Sequence, residues 1–194
     1  MSRHIAILQG HPSGTGDHFC HALAEAYARG AVEAGHEVRR IDIGKLDFPL
    51  LRSKADWDDG MPPPDIQNCQ TTIAWADHLV IIYPLWLGDM PALLKGFLEQ
   101  VMRPGFATSR VEGGMKWKTL LNGRTARIVV TMGMPSLVYR WYFGAHSLKS
   151  LKRNILRFVG IRPVGDSLIG TVEGSEHGRQ KWLGRMHTLG RNAR

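Results

Sequence analysis

The run His78-Leu79-Val80-Ile81-Ile82 constrains this chain most, because an unbroken apolar stretch of that length reads as a buried strand. It enters Tyr83 to Val101, YPLWLGDMPALLKGFLEQV, where Pro84, Gly88 and Pro91 make a turn. Ala92, Leu93, Leu94, Phe97, Leu98 and Val101 then recur at helical spacing, and Pro91 suits a first helical turn. Between strand and helix stands Leu85-Trp86-Leu87, a bulky apolar patch in a loop at the carboxyl end of a strand, where open α/β sheets bind ligands. A flat, mostly apolar cofactor fits such a place.

The same grammar repeats along the chain. His4 to Gln9 is a short apolar run ending in Gly10-His11-Pro12-Ser13-Gly14-Thr15-Gly16, followed by a helix from about Asp17 or His18 to Ala34 that Gly35 stops. Glu37 to Ile43 mixes Val38, Ile41 and Ile43 with Arg39, Arg40 and Asp42, as an edge strand does. Leu46 to Asp65 is too long and too rich in breakers for an ordinary connection and reads as an excursion. A helix follows from Ile66 to Ala76, Arg103 to Asn122 is rich in Gly and basic residues, and Arg124 to Met132 is a fourth strand. After an aromatic loop come a helix from Ser147 to Val159, a fifth strand from Arg162 to Ile169 and a closing helix from Glu176 to Leu189. Five strands alternating with helices imply a parallel, doubly wound five-stranded α/β sheet, and the count matches the flavodoxin-like order 2-1-3-4-5. The ligand then lies above the loops His11 to Cys20, Tyr83 to Asp89 and Met132 to Tyr142.

At 194 residues the chain is long enough for one well-buried core, so residues 1–194 are expected to form a single domain. No apolar run reaches membrane-spanning length, and Cys20 and Cys69 lie outside any disulfide or metal spacing, which points to the cytoplasm. The formal charge of +8 comes from a stretch between Glu112 and Asp166 that holds ten Lys or Arg and no acid. Such a face suits a phosphorylated cofactor or an acidic partner. The chain has no zinc-finger spacing and no aromatic-basic RNA motif, so nucleic acid is not expected.

Gly10, Gly14 and Gly16 have the GxxxGxG spacing of short-chain dehydrogenases, but none of Tyr27, Tyr83, Tyr139 or Tyr142 has the Lys four residues on that such chemistry needs. GxGxxG and GxxxxGK[ST] are both absent, as are a nucleophile elbow and HExxH. What remains is Ser13, Thr15 and backbone amides aimed at a helix N-terminus, which suits an anion; a plain N-cap by Asp17 is the other reading.

With these pieces in place, the chain resembles the NAD(P)H:quinone reductase branch of flavodoxin-like flavoproteins, including the ancillary reductases of bacterial potassium-efflux systems. Pro84-Leu85, Trp86, Met90-Pro91-Ala92, Leu94-Lys95-Gly96 and Val101 match that family's signature, Gly10-His11-Pro12 with Phe19 its flavin-phosphate loop, and Ile155 to Ile161 its late helix-to-strand passage. The resemblance implies a flavin, FMN or FAD, with NAD(P)H as co-substrate, a quinone or similar small-molecule electron acceptor and a homodimer with each site near the subunit boundary; its alternative is an ancillary subunit with a membrane-transporter partner. It implies that His11, His18, Phe19 and Cys20 surround the flavin's phosphate and ribityl chain. Pro84, Leu85, Trp86 and Leu87 would face its ring, and Thr131, Met132, Gly133 and Met134 would offer backbone donors to its pyrimidine side. Tyr139 or Tyr142, with His146, would stand beside the acceptor. The chain departs from the family's Ser-Phe-Asn at His18-Phe19-Cys20, from its aromatics at Leu87-Gly88, and from its Thr-Gly-Gly run at Met132-Gly133-Met134.

Overall fold

A computed structural model describes residues 1–110 and 117–194. Strands β1 (His4–Gln9), β2 (Glu37–Asp42), β3 (His78–Pro84), β6 (Thr125–Thr131) and β7 (Val164–Ile169) form one sheet in the order β2-β1-β3-β6-β7. Every neighbouring pair is parallel. This is the expected 2-1-3-4-5 order, with β6 and β7 as its fourth and fifth strands. The unforeseen pair β4 (Thr108–Arg110) and β5 (Trp117–Thr119) is a separate antiparallel ladder inside the Gly- and Lys-rich connection.

Alternation along each central strand divides the core into two layers. Ile5, Ile7, Val80, Ile82 and Val129 face α1 (Phe19–Glu33) and α6 (Glu176–Arg191). Ala6, Leu8, Leu79, Ile81, Ile128 and Val130 face the side covered by α3 (Pro64–Trp75), α4 (Ala92–Val101) and α5 (His146–Ser150). Helix α4 buries Leu94, Phe97, Leu98 and Val101, the stripe its sequence spacing predicts. β2 is an edge strand as its polarity suggests: Arg39 stacks its guanidinium 4.1 Å from the Trp75 ring and Arg40 pairs with Glu25 at 2.7 Å.

Helices α1 and α6 cross backbone to backbone. A Cβ on Gly30 would lie 2.0 Å from the His187 carbonyl oxygen, and one on Gly190 2.0 Å from that of Tyr27, so only glycine permits this approach. The excursion Leu46 to Asp65 contains α2 (Lys54–Asp58), started by a Ser53–Asp56 capping box, and docks on the end of α4 and the turn after it through Gln100 Nε2 to Pro49 O (2.5 Å) and Arg103 to Gly60 O (2.6 Å).

Two expectations about helices change. The stretch expected as one helix from Ser147 to Val159 begins at His146 and widens to i→i+5 bonding from Leu151 to Leu156, and the aromatic segment Val138–Tyr142 is a similar wide helical turn. An inserted residue of this kind leaves the apolar spacing nearly intact. The acid-free basic stretch begins at Gly113 to Lys116, which lie outside the described residues; within the rest, Lys149, Arg153 and Arg157 are exposed while Lys152 is held by Asp166 at 2.6 Å. Among the described residues no helix is long and apolar enough to cross a membrane.

Candidate active site

The sheet brings three strand-end loops to one edge. The Gly10 N–H donates to Ile82 O at 2.7 Å, tying the first loop to β3, and the Leu85 N–H donates to Thr131 O at 2.7 Å, tying the second to β6. The first loop also rests on the turn after β2: a Cβ on Gly44 would lie 2.4 Å from Gly14 N and 2.6 Å from Pro12 O. Its shape is therefore set by close backbone packing on two sides.

The helix that follows is not capped by Asp17. His18 occupies the N-cap, and no side chain caps the helix start. The Gln9 carboxamide accepts from the His11 N–H at 3.1 Å, and His11 Nδ1 accepts from the Ser13 N–H at 3.1 Å. These bonds hold the His11 ring against His18, stacked at 3.9 Å between centroids, with His21 5.6 Å from both and Trp86 edge-on at 5.9 Å. Burial pushes the pKa of His11 down and the neighbouring His18 and His21 add to this; His21 is likewise lowered, chiefly by burial. Phe19 is half-buried beside the rings. Cys20 is buried against Thr131, Sγ to Oγ1 3.2 Å, and burial pushes its thiol up to about 11. It is a neutral packing group.

An open depression of about 570 Å³ lies at this loop, lined among others by Gln9, Gly16, Asp17, His18, Phe19 and His21. Gln9 is only 5% exposed, yet its Nε2 has no hydrogen-bond partner, and neither ring nitrogen of His21 has one among the described residues. Buried polar groups are as a rule paired with protein, water or ligand, so these atoms are candidates for such a contact. Gln9 and His21 were not singled out from the sequence. The readable signal was His18-x-x-His21, two imidazoles on one face of a helix's first turn.

The second loop is a tight hairpin turn. Trp86 and Asp89 exchange backbone hydrogen bonds of 2.8 and 3.0 Å, with Leu87 at φ 47° and Gly88 at φ 80° between them. Both central residues are left-handed, as in a type I′ turn. Pro84 and Leu85 are half-buried, Trp86 is 51% exposed, and Leu87 stands fully in solvent at 107%. In the third loop the Met132 N–H is spent on Ile169 O, so it is not free for a ligand, whereas the Gly133 and Met134 amides donate to no described residue. Thr131 and Met132 are buried, Gly133 is exposed and Met134 is half-buried.

The structure divides the three residues expected at the acceptor. Tyr139 is 2% exposed, its hydroxyl 2.6 Å from Ser147 Oγ while accepting from the Leu148 N–H at 3.2 Å, which commits it to holding the loop on α5. Tyr142 is 82% exposed with its ring edge-on to Phe143, and His146 is exposed at the start of α5. Among the described residues no cluster of His, Cys, Asp or Glu has the geometry to hold a metal.

A family model described as the flavodoxin-like fold matches residues 3–188. An uncharacterized NAD(P)H oxidoreductase of Haemophilus influenzae is 29% identical over 86% of this chain and 83% of its own. The solved NAD(P)H:quinone oxidoreductase of Methanothermobacter marburgensis superposes with a TM-score of 0.82 at 27% identity, covering 100% of both chains. A shorter match, 36% identical over 39% of this chain and 38% of the other, is to the ancillary protein KefG of a glutathione-regulated potassium-efflux system in Cronobacter sakazakii. With the sheet order, the three converging loops and a match over nearly its whole length, the chain belongs to the flavodoxin-like fold family.

Proposed function

We propose that this chain is a flavin-dependent NAD(P)H oxidoreductase, in which NAD(P)H, a proton and a quinone or similar small acceptor yield NAD(P)+ and the two-electron-reduced acceptor. The observation that carries this reading is the meeting of three strand-end loops at one edge of the sheet, tied together by the Gly10–Ile82 and Leu85–Thr131 bonds, with the buried Gln9 amide of β1 lacking a protein partner beside the first of them. The residues present fit a flavin. The uncapped start of α1 and the Gln9 amide supply neutral donors for a phosphate, with His11, His18, Phe19 and Cys20 around it. Pro84 to Leu87 supply apolar surface for a flat ring, and the Gly133 and Met134 amides supply donors to its polar edge.

When bound, a flavin supplies hydride acceptance from the nicotinamide and two-electron delivery to the acceptor. The chain's own task is positioning and electrostatics. Backbone donors fixed at Gly133 and Met134 favour negative charge at the edge they face. Tyr142 and His146 are placed to donate hydrogen bonds to an acceptor's oxygens, and Tyr139 positions that loop through Ser147. The exposed apolar residues Leu137, Val138, Trp141, Tyr142 and Phe143 of the third loop, with exposed Trp86 and Leu87 of the second, suit a homodimer that closes each site at the subunit boundary. A single domain over residues 1–194 working in the cytoplasm agrees with this reading.

Incubation of the purified protein with FMN and with FAD, followed by gel filtration, visible spectroscopy and mass analysis of the released cofactor, tests it. A co-eluting flavin spectrum bleached by NADH or NADPH and restored by a quinone is expected; a colourless protein after both incubations refutes the reading. The short match to the efflux-system protein favours one further reading, a flavodoxin-fold ancillary subunit that docks on a membrane transporter through Lys149, Arg153 and Arg157. Recovery of a transporter by the wild-type chain, lost on charge reversal at Lys149 and Arg153, is its expected signature; turnover unaffected by that reversal with no transporter recovered counts against it.

A further inference from the structure

The depression beside the first loop is electrostatically unsuited to an anion unless something in it changes charge. Asp17, Glu25, Asp42 and Glu176 line it, against Arg40, Lys45 and Arg179. Each of these cations already has a carboxylate partner: Arg40 with Glu25 at 2.7 Å from β2 to α1, Lys45 with Asp42 at 2.9 Å at the turn after β2, and Arg179 with Glu176 at 2.6 Å on α6. Four carboxylates against three paired cations leave no standing positive field. The Gln9 amide and the first-turn amides of α1 are donors, but they are neutral.

The groups able to change charge are the three imidazoles. His11 and His18 stack at 3.9 Å, and His21 lies 5.6 Å from each, one helical turn from His18. Without an anion, three rings at such distances repel one another once protonated, and burial adds to the cost. A phosphate dianion placed against them reverses both terms, since it supplies the opposite charge within a few ångströms and accepts N–H bonds from the ring nitrogens. Gln9 Nε2 and both His21 nitrogens are buried without a partner in the same region, while His11 Nε2 and the His18 nitrogens are not among the sealed atoms and are the ring nitrogens open to an anion.

We propose that His11, His18 and His21 form a proton-accepting anion site, in which the phosphate of the cofactor binds together with a proton taken up by the imidazole cluster. This rests on the flavin reading above. The proton comes from solvent and stays on the ring; no bond is made or broken beyond that transfer. Binding that requires one proton weakens about tenfold per pH unit across the range where the empty cluster is neutral and the occupied one is not. A phosphate monoester is mostly dianionic above about pH 6, so the weakening runs from about pH 6.5 upward.

Fluorescence titration of the cofactor-free protein with FMN and with riboflavin, which has the same ring and no phosphate, at about pH 6.5, 7.5 and 8.5 gives the test. The FMN dissociation constant is expected to rise at least about tenfold over that span while that of riboflavin stays level. Calorimetry at about pH 7.5 in two phosphate-free buffers of unlike ionisation heat should register uptake of close to one proton per FMN and none for riboflavin. His18→Gln and His21→Gln should each flatten the FMN profile. FMN binding with the same pH profile as riboflavin, or without proton uptake, overturns the proton-linked site and leaves the flavin reading standing. Failure of both ligands to bind at every pH overturns the two together. The wild-type comparison carries the decision even where a variant does not fold.

Discussion

Replacing Leu87 by Asn separates what the turn needs for stability from what the site needs for binding. The residue sits at φ 47° in the first central position of a two-residue turn closed by backbone bonds of 2.8 and 3.0 Å between Trp86 and Asp89. A left-handed conformation costs a branched L-residue roughly 1–2 kcal/mol, a penalty that Asn largely escapes, and Asn-Gly is the preferred pair for this geometry. Leu87 is fully exposed, so the substitution surrenders no buried surface within the chain. Leu87→Asn should therefore stabilise the cofactor-free protein by about 1 kcal/mol, raising Tm by about 2–4 °C for a chain of this size. If the leucine's apolar surface covers a ring or an acceptor, as proposed, losing about 1 kcal/mol of that contact should weaken flavin or acceptor binding about fivefold. Calorimetric melting of the cofactor-free protein reads the first effect, and flavin titration with acceptor KM reads the second. A variant that melts below wild type would refute the strain argument, and one with unchanged flavin affinity and acceptor KM would remove Leu87 from the site.

Two further changes probe the scaffold. His78 is buried, with Nδ1 2.6 Å from Thr125 Oγ1, and burial, with help from Arg127 and Arg3, lowers its pKa to about 4. The unfolded chain then binds the extra proton between about pH 6.5 and 4, so this contribution is complete above 6.5 and lost as pH falls, by about 2 kcal/mol at pH 5; urea unfolding of wild type and His78→Gln at pH 7 and 5 should differ by that slope, and parallel curves would discount it. Gly30→Ala gains up to about 1 kcal/mol of helix propensity but loses about 3 kcal/mol by forcing α1 from α6 at the His187 carbonyl. Gly184→Ala, in open space on α6, keeps the gain alone, so the two variants should shift Tm in opposite directions.

What the chain disclosed about itself follows from which interactions leave a mark on spacing. The apolar runs of β1, β3 and β6, the polar edge strand β2 and the Pro91 helix start are local consequences of burial, and they placed the strands and the three loops from residues alone, while the sheet order came from matching the strand count to a known fold. The β4–β5 ladder was illegible because Thr108-Ser109-Arg110 and Trp117-Lys118-Thr119 bury only Thr108 and carry no apolar alternation. The widened turns at Val138–Tyr142 and Leu151–Leu156 were illegible for the opposite reason, since the apolar stripe survives one inserted residue. Tyr139 shows the limit for single side chains: an aromatic in a loop reads alike whether it faces a substrate or, as here, Ser147 and the Leu148 amide.

The electrostatics of the first loop were hidden at a different level. Sequence lists charges, and the basic excess of the chain suggested a face that draws anions. In the folded chain the exposed Lys149, Arg153 and Arg157 carry part of that excess, while the cations lining the depression beside the loop are cancelled pair by pair through contacts at β2, α1 and α6 that no spacing rule anticipates. Net charge therefore says little about the charge at this loop. On the proposed reading, an anion at this loop draws its charge complement from the cluster of His11, His18 and His21 that the fold assembles there. The departure of His18-Phe19-Cys20 from the expected flavin loop thus acquires a physical reading: a fixed hydroxyl and amide give way to donors whose charge depends on pH.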